Sequence, residues 1–198
     1  MTGSATALKA RTALFGGTFD PIHNAHLAMA SAALETFEPQ GLARILFVPA
    51  ANPPHKSGSS LASWDDRVRM VELACEDNSA FEVSRIERDA SPSYSVLTID
   101  RLLAASREPL AFLIGADAFA EIRTWYRWQD VVRLVEFIVV TRPGSDYIVP
   151  PGAVIHELGG VDLPVSSSDV RDGIARGEPD LPVPARVLTY IHEHNLYR

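Results

Sequence analysis

An α/β fold on a doubly wound, mainly parallel sheet is what this sequence predicts, and three observations predict it. Short apolar runs recur along the chain, several of them continuous rather than alternating, the pattern of strands buried on both faces. Helical patterns fall between these runs, and strand alternating with helix implies parallel pairing through right-handed crossovers. The first apolar run stops at a glycine pair and a turn, at the carboxyl end of a strand, where such sheets bind ligands.

The elements follow in order. Ala13 to Phe15 reads as the first strand, ended by Gly16-Gly17 and the turn Thr18-Phe19-Asp20-Pro21. An alanine-rich helix is expected over about His26 to Thr36, then a strand over Ile45 to Val48 and a helix over Asp65 to Cys75. Phe81 to Val83 and Ala111 to Ile114 are strands flanking a helix over Val96 to Ala105. Trp128 to Leu134 is helical, with strands over Phe137 to Thr141 and Val154 to His156 after it. The tail differs. Ser166 to Arg176 is a capped helix, Gly177-Glu178-Pro179 a turn, and Pro184 to Asn195 a helix with proline near its start. No internal repeat or low-complexity stretch occurs, so residues 1–198 are expected to form one domain, with 166–198 as a small C-terminal helical appendage.

Composition narrows the function classes. A net charge of −7 argues against nucleic-acid binding, which needs a basic face. No apolar run reaches the roughly 18 residues of a membrane span. Met1 to Lys9 lacks the pattern of a signal peptide, so a cytoplasmic protein is expected. The single cysteine, Cys75, sits in an apolar stretch and reads as a buried thiol.

Five segments carry chemistry, each with a plainer alternative. A strand, a glycine loop and a helix start make a phosphate site, because backbone N–H groups approach the anion there. His23 and His26 stand three apart and can share a face toward that phosphate. As metal ligands they lack a clear third partner. Lys56, in Asn52-Pro53-Pro54-His55-Lys56, is either a phosphate clamp on a proline-stiffened loop or a solvated lysine. In Gly115-Ala116-Asp117 the aspartate accepts from ribose hydroxyls, caps a helix, or does both. Trp125-Tyr126-Arg127-Trp128 offers a ring to stack on a base, or packs as core. Ser166 to Arg171 is a second anion cradle at a helix start, or a serine cap beside a surface arginine.

Phe19, Asp20, Pro21, His23 and His26 stand in register with a G-x-F-D-P-x-H-x-G-H motif, and the stretch resembles the nucleotidyltransferase superfamily that carries it. Ala25 replaces the motif's glycine. From Leu14 to Tyr197 the order of blocks looks like that of the bacterial nicotinate-nucleotide adenylyltransferase family. The carrying blocks are Pro53-Pro54-His55-Lys56, the segment ending in Pro92-Ser93-Tyr94, Gly115-Ala116-Asp117, Trp125-Tyr126-Arg127-Trp128, Thr141-Arg142-Pro143-Gly144 and Ser166 to Arg171. Leu97 stands where that family usually has aspartate.

The resemblance implies a Rossmann-like fold and transfer of AMP from ATP to nicotinate mononucleotide, giving deamido-NAD and pyrophosphate. It implies catalytic roles for His23, His26, Arg171 and Lys56. It places ATP on Gly16, Gly17, Thr18, Phe19, His23, His26, Gly115, Asp117, Ser167, Ser168 and Arg171. The acceptor falls to Thr18, Lys56, Tyr94, Ser95, Trp125 and Arg142. Mg²⁺ would arrive with ATP, with no dedicated protein ligands. A homo-oligomer is left open. The alternatives are a sibling enzyme acting on nicotinamide mononucleotide or phosphopantetheine, and a regulator that binds ATP without releasing pyrophosphate.

Overall fold

The computed structural model describes residues 7–53, 62–90, 92–106, 108–161 and 163–198. Six strands form one sheet: β1 (Thr12–Gly17), β2 (Arg44–Pro49), β3 (Phe81–Val83), β4 (Leu110–Gly115), β5 (Val135–Val140) and β6 (Val154–Leu158). Their order is β3-β2-β1-β4-β5-β6, and every pairing is parallel. The order reverses between β1 and β4, so a crevice opens there beyond their carboxyl ends. Gly17 of β1 lies beside Pro49 of β2, and Gly115 of β4 beside Val140 of β5, so both glycines border that crevice.

Alternation along the strands builds two cores. Ala13 and Phe15 of β1 join one cluster, whereas Leu14 joins the other. Helices α1 (Asn24–Phe37), α2 (Trp64–Cys75), α6 (Ser167–Arg176) and α7 (Ala185–Glu193) bury residues in the first cluster, among them Ala33, Met70, Ile174 and Ile191. Helices α3 (Ser95–Ser106), α4 (Ala116–Ala120) and α5 (Trp128–Leu134) bury Ile99, Phe119 and Val131 in the second. Phe47 and Phe137, one in each cluster, are fully buried. Each contributes about 1.5–3 kcal/mol relative to an exposed ring.

Local chemistry sets the helix ends. Ser63 caps α2 by accepting from the Asp66 N–H at 3.1 Å. Ser166 caps α6, with Asp169 reaching back to the Ser166 N–H in a capping box. Gly173 inside α6 has no room for a methyl group, because Leu181 crosses close against it. The expected C-terminal helices are α6 and α7, and α7 packs onto the α1–α2 side of the sheet through Val187 and Ile191.

The boundaries of the expected strands and helices all fall within two residues of those observed. Helix α1 begins at Asn24, two residues before the expected start, which makes His23 its N-cap. The short α4 begins directly at the end of β4. Cys75 is buried, and burial pushes its thiol up to about 12. Among the described residues, no helix is long and apolar enough to cross a membrane.

Candidate active site

The turn after β1 is shaped by one aromatic ring. Phe19 has a left-handed backbone, φ 50°, and folds its ring back over Gly17. A Cβ at Gly17 would lie 2.9 Å from that ring, so glycine is required there. At Gly16 a Cβ would make only an ordinary contact with Phe112. The Phe19 ring is buried against Phe15 and Phe47, with edge contact to His26 at 5.1 Å. Anything Phe19 offers a nucleotide therefore comes through its backbone.

The two histidines meet across the helix start. Their rings stack at 3.8 Å, and the His23 backbone N–H donates to Nδ1 of His26 at 3.3 Å. A neutral His26 then carries its proton on Nε2. His23 is buried, and burial pulls its pKa down to about 4 against the opposing pull of Asp169. At neutral pH it is an uncharged imidazole with one N–H to donate.

Helix α6 docks its first turn on the same loop. Ser167 Oγ donates to the carbonyl of Pro21 at 3.0 Å. Arg171 Nη1 donates to the carbonyl of Asp20 at 2.7 Å, and Nη2 to Ser168 Oγ at 3.1 Å. Arg171 is thus half-buried at the motif, rather than a plain surface arginine. Ser166 serves as the cap, so the Ser167 and Ser168 hydroxyls are not used in capping the helix.

Sequence reasoning missed three buried charges. Asp20 is fully buried, and its Oδ1 accepts from the Tyr197 hydroxyl at 2.6 Å and the Ala62 N–H at 3.1 Å. Arg67 is buried and donates to the carbonyls of Thr18 at 2.7 Å, Ala50 at 2.8 Å and Ala62 at 3.3 Å. It ties the turn after β1 to the chain leaving β2 and to the start of α2. Glu87, also buried, accepts from the Ala51 N–H and is bonded to the Thr98 hydroxyl. On an amphipathic helix pattern, Arg67 reads like any exposed arginine, so only its burial distinguishes it.

A cleft opens beside α1 at the ends of β4 and β5. Ala25, Gly115, Asp117 and Arg142 line it. The Ala25 methyl thus faces the space that a glycine would widen. A Cβ on Gly115 would meet open space. Gly115, not Asp117, is the N-cap of α4, which leaves the Asp117 carboxylate in the first turn at the cleft. Arg142 also lies in this cleft, on the Asp117 side, where its Nη2 donates to the Leu163 carbonyl at 3.4 Å.

Tyr94, Ser95 and Trp125 stand on the other side of the sheet. Tyr94 and Trp125 pack against the second core cluster, Trp125 by its edge contact with Phe112 at 5.7 Å. Tyr94 stacks on Tyr126 at 4.4 Å. Ser95 opens α3, and Leu97 is exposed on the same turn. The bonds between Asn52 and Ser93 tether the chain after β2 to the segment before α3. Pro54, His55 and Lys56 lie outside the described residues.

A cytidylyltransferase-like family model matches residues 14–173. A probable nicotinate-nucleotide adenylyltransferase of Solibacter usitatus is 51% identical over 94% of this chain and 99% of its own length. One from Symbiobacterium thermophilum is 42% identical over 95% of each chain. In fold, the chain is similar to a solved Plasmodium falciparum nicotinic acid mononucleotide adenylyltransferase complexed with NaAD. The TM-score is 0.73 at 19% identity, over 94% of this chain and 96% of that one. The turn after β1, the stacked histidines and the α6 start all fall inside the matched span, and the chain belongs to the cytidylyltransferase-like family and, within it, to the nicotinate-nucleotide adenylyltransferases.

Proposed function

We infer that this chain transfers AMP from ATP to the phosphate of nicotinate mononucleotide, giving deamido-NAD and pyrophosphate. The observation that carries the reading is the convergence of His23, His26 and Arg171 on one turn at the sheet's switch point. A cleft lies beside it, lined by Ala25 and Asp117.

A phosphate oxygen of the mononucleotide attacks the α-phosphorus of ATP. The bond from that phosphorus to the bridging oxygen breaks, and pyrophosphate leaves. The attacking oxygen is already anionic, so the reaction requires neither a general base nor a covalent enzyme intermediate. Catalysis rests on positioning and on charge stabilisation. His26 Nε2–H and the neutral His23 donate to phosphate oxygens. The backbone of Gly16 to Phe19 approaches the phosphates, while Ser167, Ser168 and Arg171 hold the β,γ end. Asp117 meets the ribose, and Arg142 borders the same cleft. Tyr94, Ser95 and Trp125 take the pyridine ring. Lys56 is assigned to the phosphates by resemblance alone.

Mg²⁺ bound by the phosphates would neutralise their charge. Among the described residues, no cluster of three His, Cys, Asp or Glu could hold a metal ion, and the one carboxylate in the turn, Asp20, is sealed by Tyr197 and Ala62. Such an ion would arrive with ATP. With small soluble anions as substrates, the reading places the enzyme in the cytoplasm.

A pyrophosphate-release assay with ATP and a panel of acceptors tests the reading. Nicotinate mononucleotide should support turnover well above nicotinamide mononucleotide and phosphopantetheine. Faster turnover on another acceptor would reassign the substrate, and ATP binding without pyrophosphate release would make the chain a regulator.

A further inference from the structure

Asp20 occupies an unusual position for a carboxylate. It is fully buried, and its two oxygens have different surroundings. Oδ1 accepts from the Tyr197 hydroxyl at 2.6 Å and from the Ala62 N–H at 3.1 Å. Oδ2 is buried with no hydrogen-bond partner among the protein groups, and Arg171 Nη1 stands 3.8 Å from it. The same Nη1 donates to the backbone carbonyl of Asp20. With Oδ1 bonded twice, Oδ2 is the oxygen left beside the Arg171 guanidinium, and Arg67 adds a second positive charge near the carboxylate. The Arg171 guanidinium in turn reaches Ser168 at the α6 start.

The hydroxyl that sets this arrangement comes from 177 residues further along the chain. Tyr197 reaches Asp20 through an irregular segment after α7. Asn195 and Tyr197 both hold left-handed backbone, at φ 52° and 62°. Non-glycine residues keep that conformation only where their surroundings fix it, and such positions cluster at functional sites. Here the Leu196 N–H bonds the Ile191 carbonyl at 3.0 Å, and the Tyr197 ring packs on the core beneath the motif. Burial, then the bond to Asp20, push the Tyr197 phenol far above its usual range, so it remains a donor at working pH.

We propose that Tyr197 is a positioning residue for AMP transfer, pinning Asp20 so that Asp20 aims Arg171 at the ATP phosphates. The proposal rests on the reading of the site given above. Tyr197 does not touch substrate. It acts through one hydrogen bond to a buried charge, which adds to the hold that the Asp20 carbonyl and Ser168 already have on the guanidinium.

The test uses the full chain with Tyr197→Phe, which deletes one oxygen and keeps the ring in the core. Pyrophosphate release is measured while ATP and nicotinate mononucleotide are varied separately. Turnover by the unaltered chain reports on the reading of the site, and the ratio of variant to unaltered chain reports on Tyr197. The expected result is a loss of about tenfold in kcat/KM for ATP, the size of a hydrogen bond to a charged group. KM for the mononucleotide should stay within about twofold, a split that a general loss of structure does not produce. ATP affinity by calorimetry, read in parallel, should weaken by the same factor, and this arm decides even if turnover is absent. Arg171→Lys provides a second measure: adding Tyr197→Phe to it should cost little more than Arg171→Lys alone. A folded Tyr197→Phe variant with unchanged kcat/KM and affinity for ATP would overturn the proposal. Losses that multiply in the double variant would overturn it as well.

Discussion

The backbone N–H of His23 donates to Nδ1 of His26, and the two rings stack with 27° between their planes. The pair is therefore organised by the start of α1 rather than by a helix face running through both residues. One bond orients His26 and fixes its tautomer, while burial keeps His23 uncharged.

His26→Ala should lower turnover strongly. Losing one preorganised donor at a developing charge costs about 10²–10³ in rate. Steady-state pyrophosphate release, with circular dichroism to confirm folding, checks this. Near-normal turnover in a folded variant would remove His26 from catalysis.

Acid should weaken the fold through His23. Its pKa is about 4 in the folded chain against an ordinary 6.5, so within that window the unfolded chain binds a proton that the folded chain refuses. The stability that comes from a neutral His23 is complete above pH 6.5 and drains as pH falls toward 4. Urea unfolding of the parent and of His23→Gln across this range should give a flatter pH dependence for the variant. Parallel curves would show that His23 is not the group responsible.

Trp125→Ala should raise KM for nicotinate mononucleotide about tenfold, the scale of one aromatic stack, and leave KM for ATP nearly unchanged. The Trp125 ring lies across the sheet from the Ala25–Asp117 cleft, which is why the two constants should separate. An unchanged mononucleotide KM would take Trp125 out of the acceptor site.

Arg67→Met should destabilise by about 3 kcal/mol, since buried carbonyls lose their donor and Asp20 loses a neighbouring positive charge. The carbonyls of Thr18 and Ala50 are the ones stranded. Urea denaturation measures the loss. A variant as stable as the parent would mean that water replaces the guanidinium.

The strands were legible because a parallel sheet covered on both faces leaves continuous apolar runs, as in Leu110–Gly115, where five consecutive residues are buried. The turn after β1 was legible because its glycines and histidines are neighbours in one short motif. Other parts were not. The start of α1 moved because His23 itself caps the helix, and histidine is an uncommon cap. That Arg142 lines one cleft with Asp117 was not legible, because a loop residue's neighbours depend on how β5 meets β4, not on nearby residues.

By itself, then, the sequence determined the sheet and the family, since periodicity and short motifs are written in neighbouring residues. Only the tertiary structure decided that Asp20 is gripped by Tyr197 and aimed at Arg171, and that Arg67 lies buried among carbonyls. Such pairings join residues far apart in the chain. Their energy comes from desolvation and geometry at the meeting point, and neither leaves a periodic trace in the sequence.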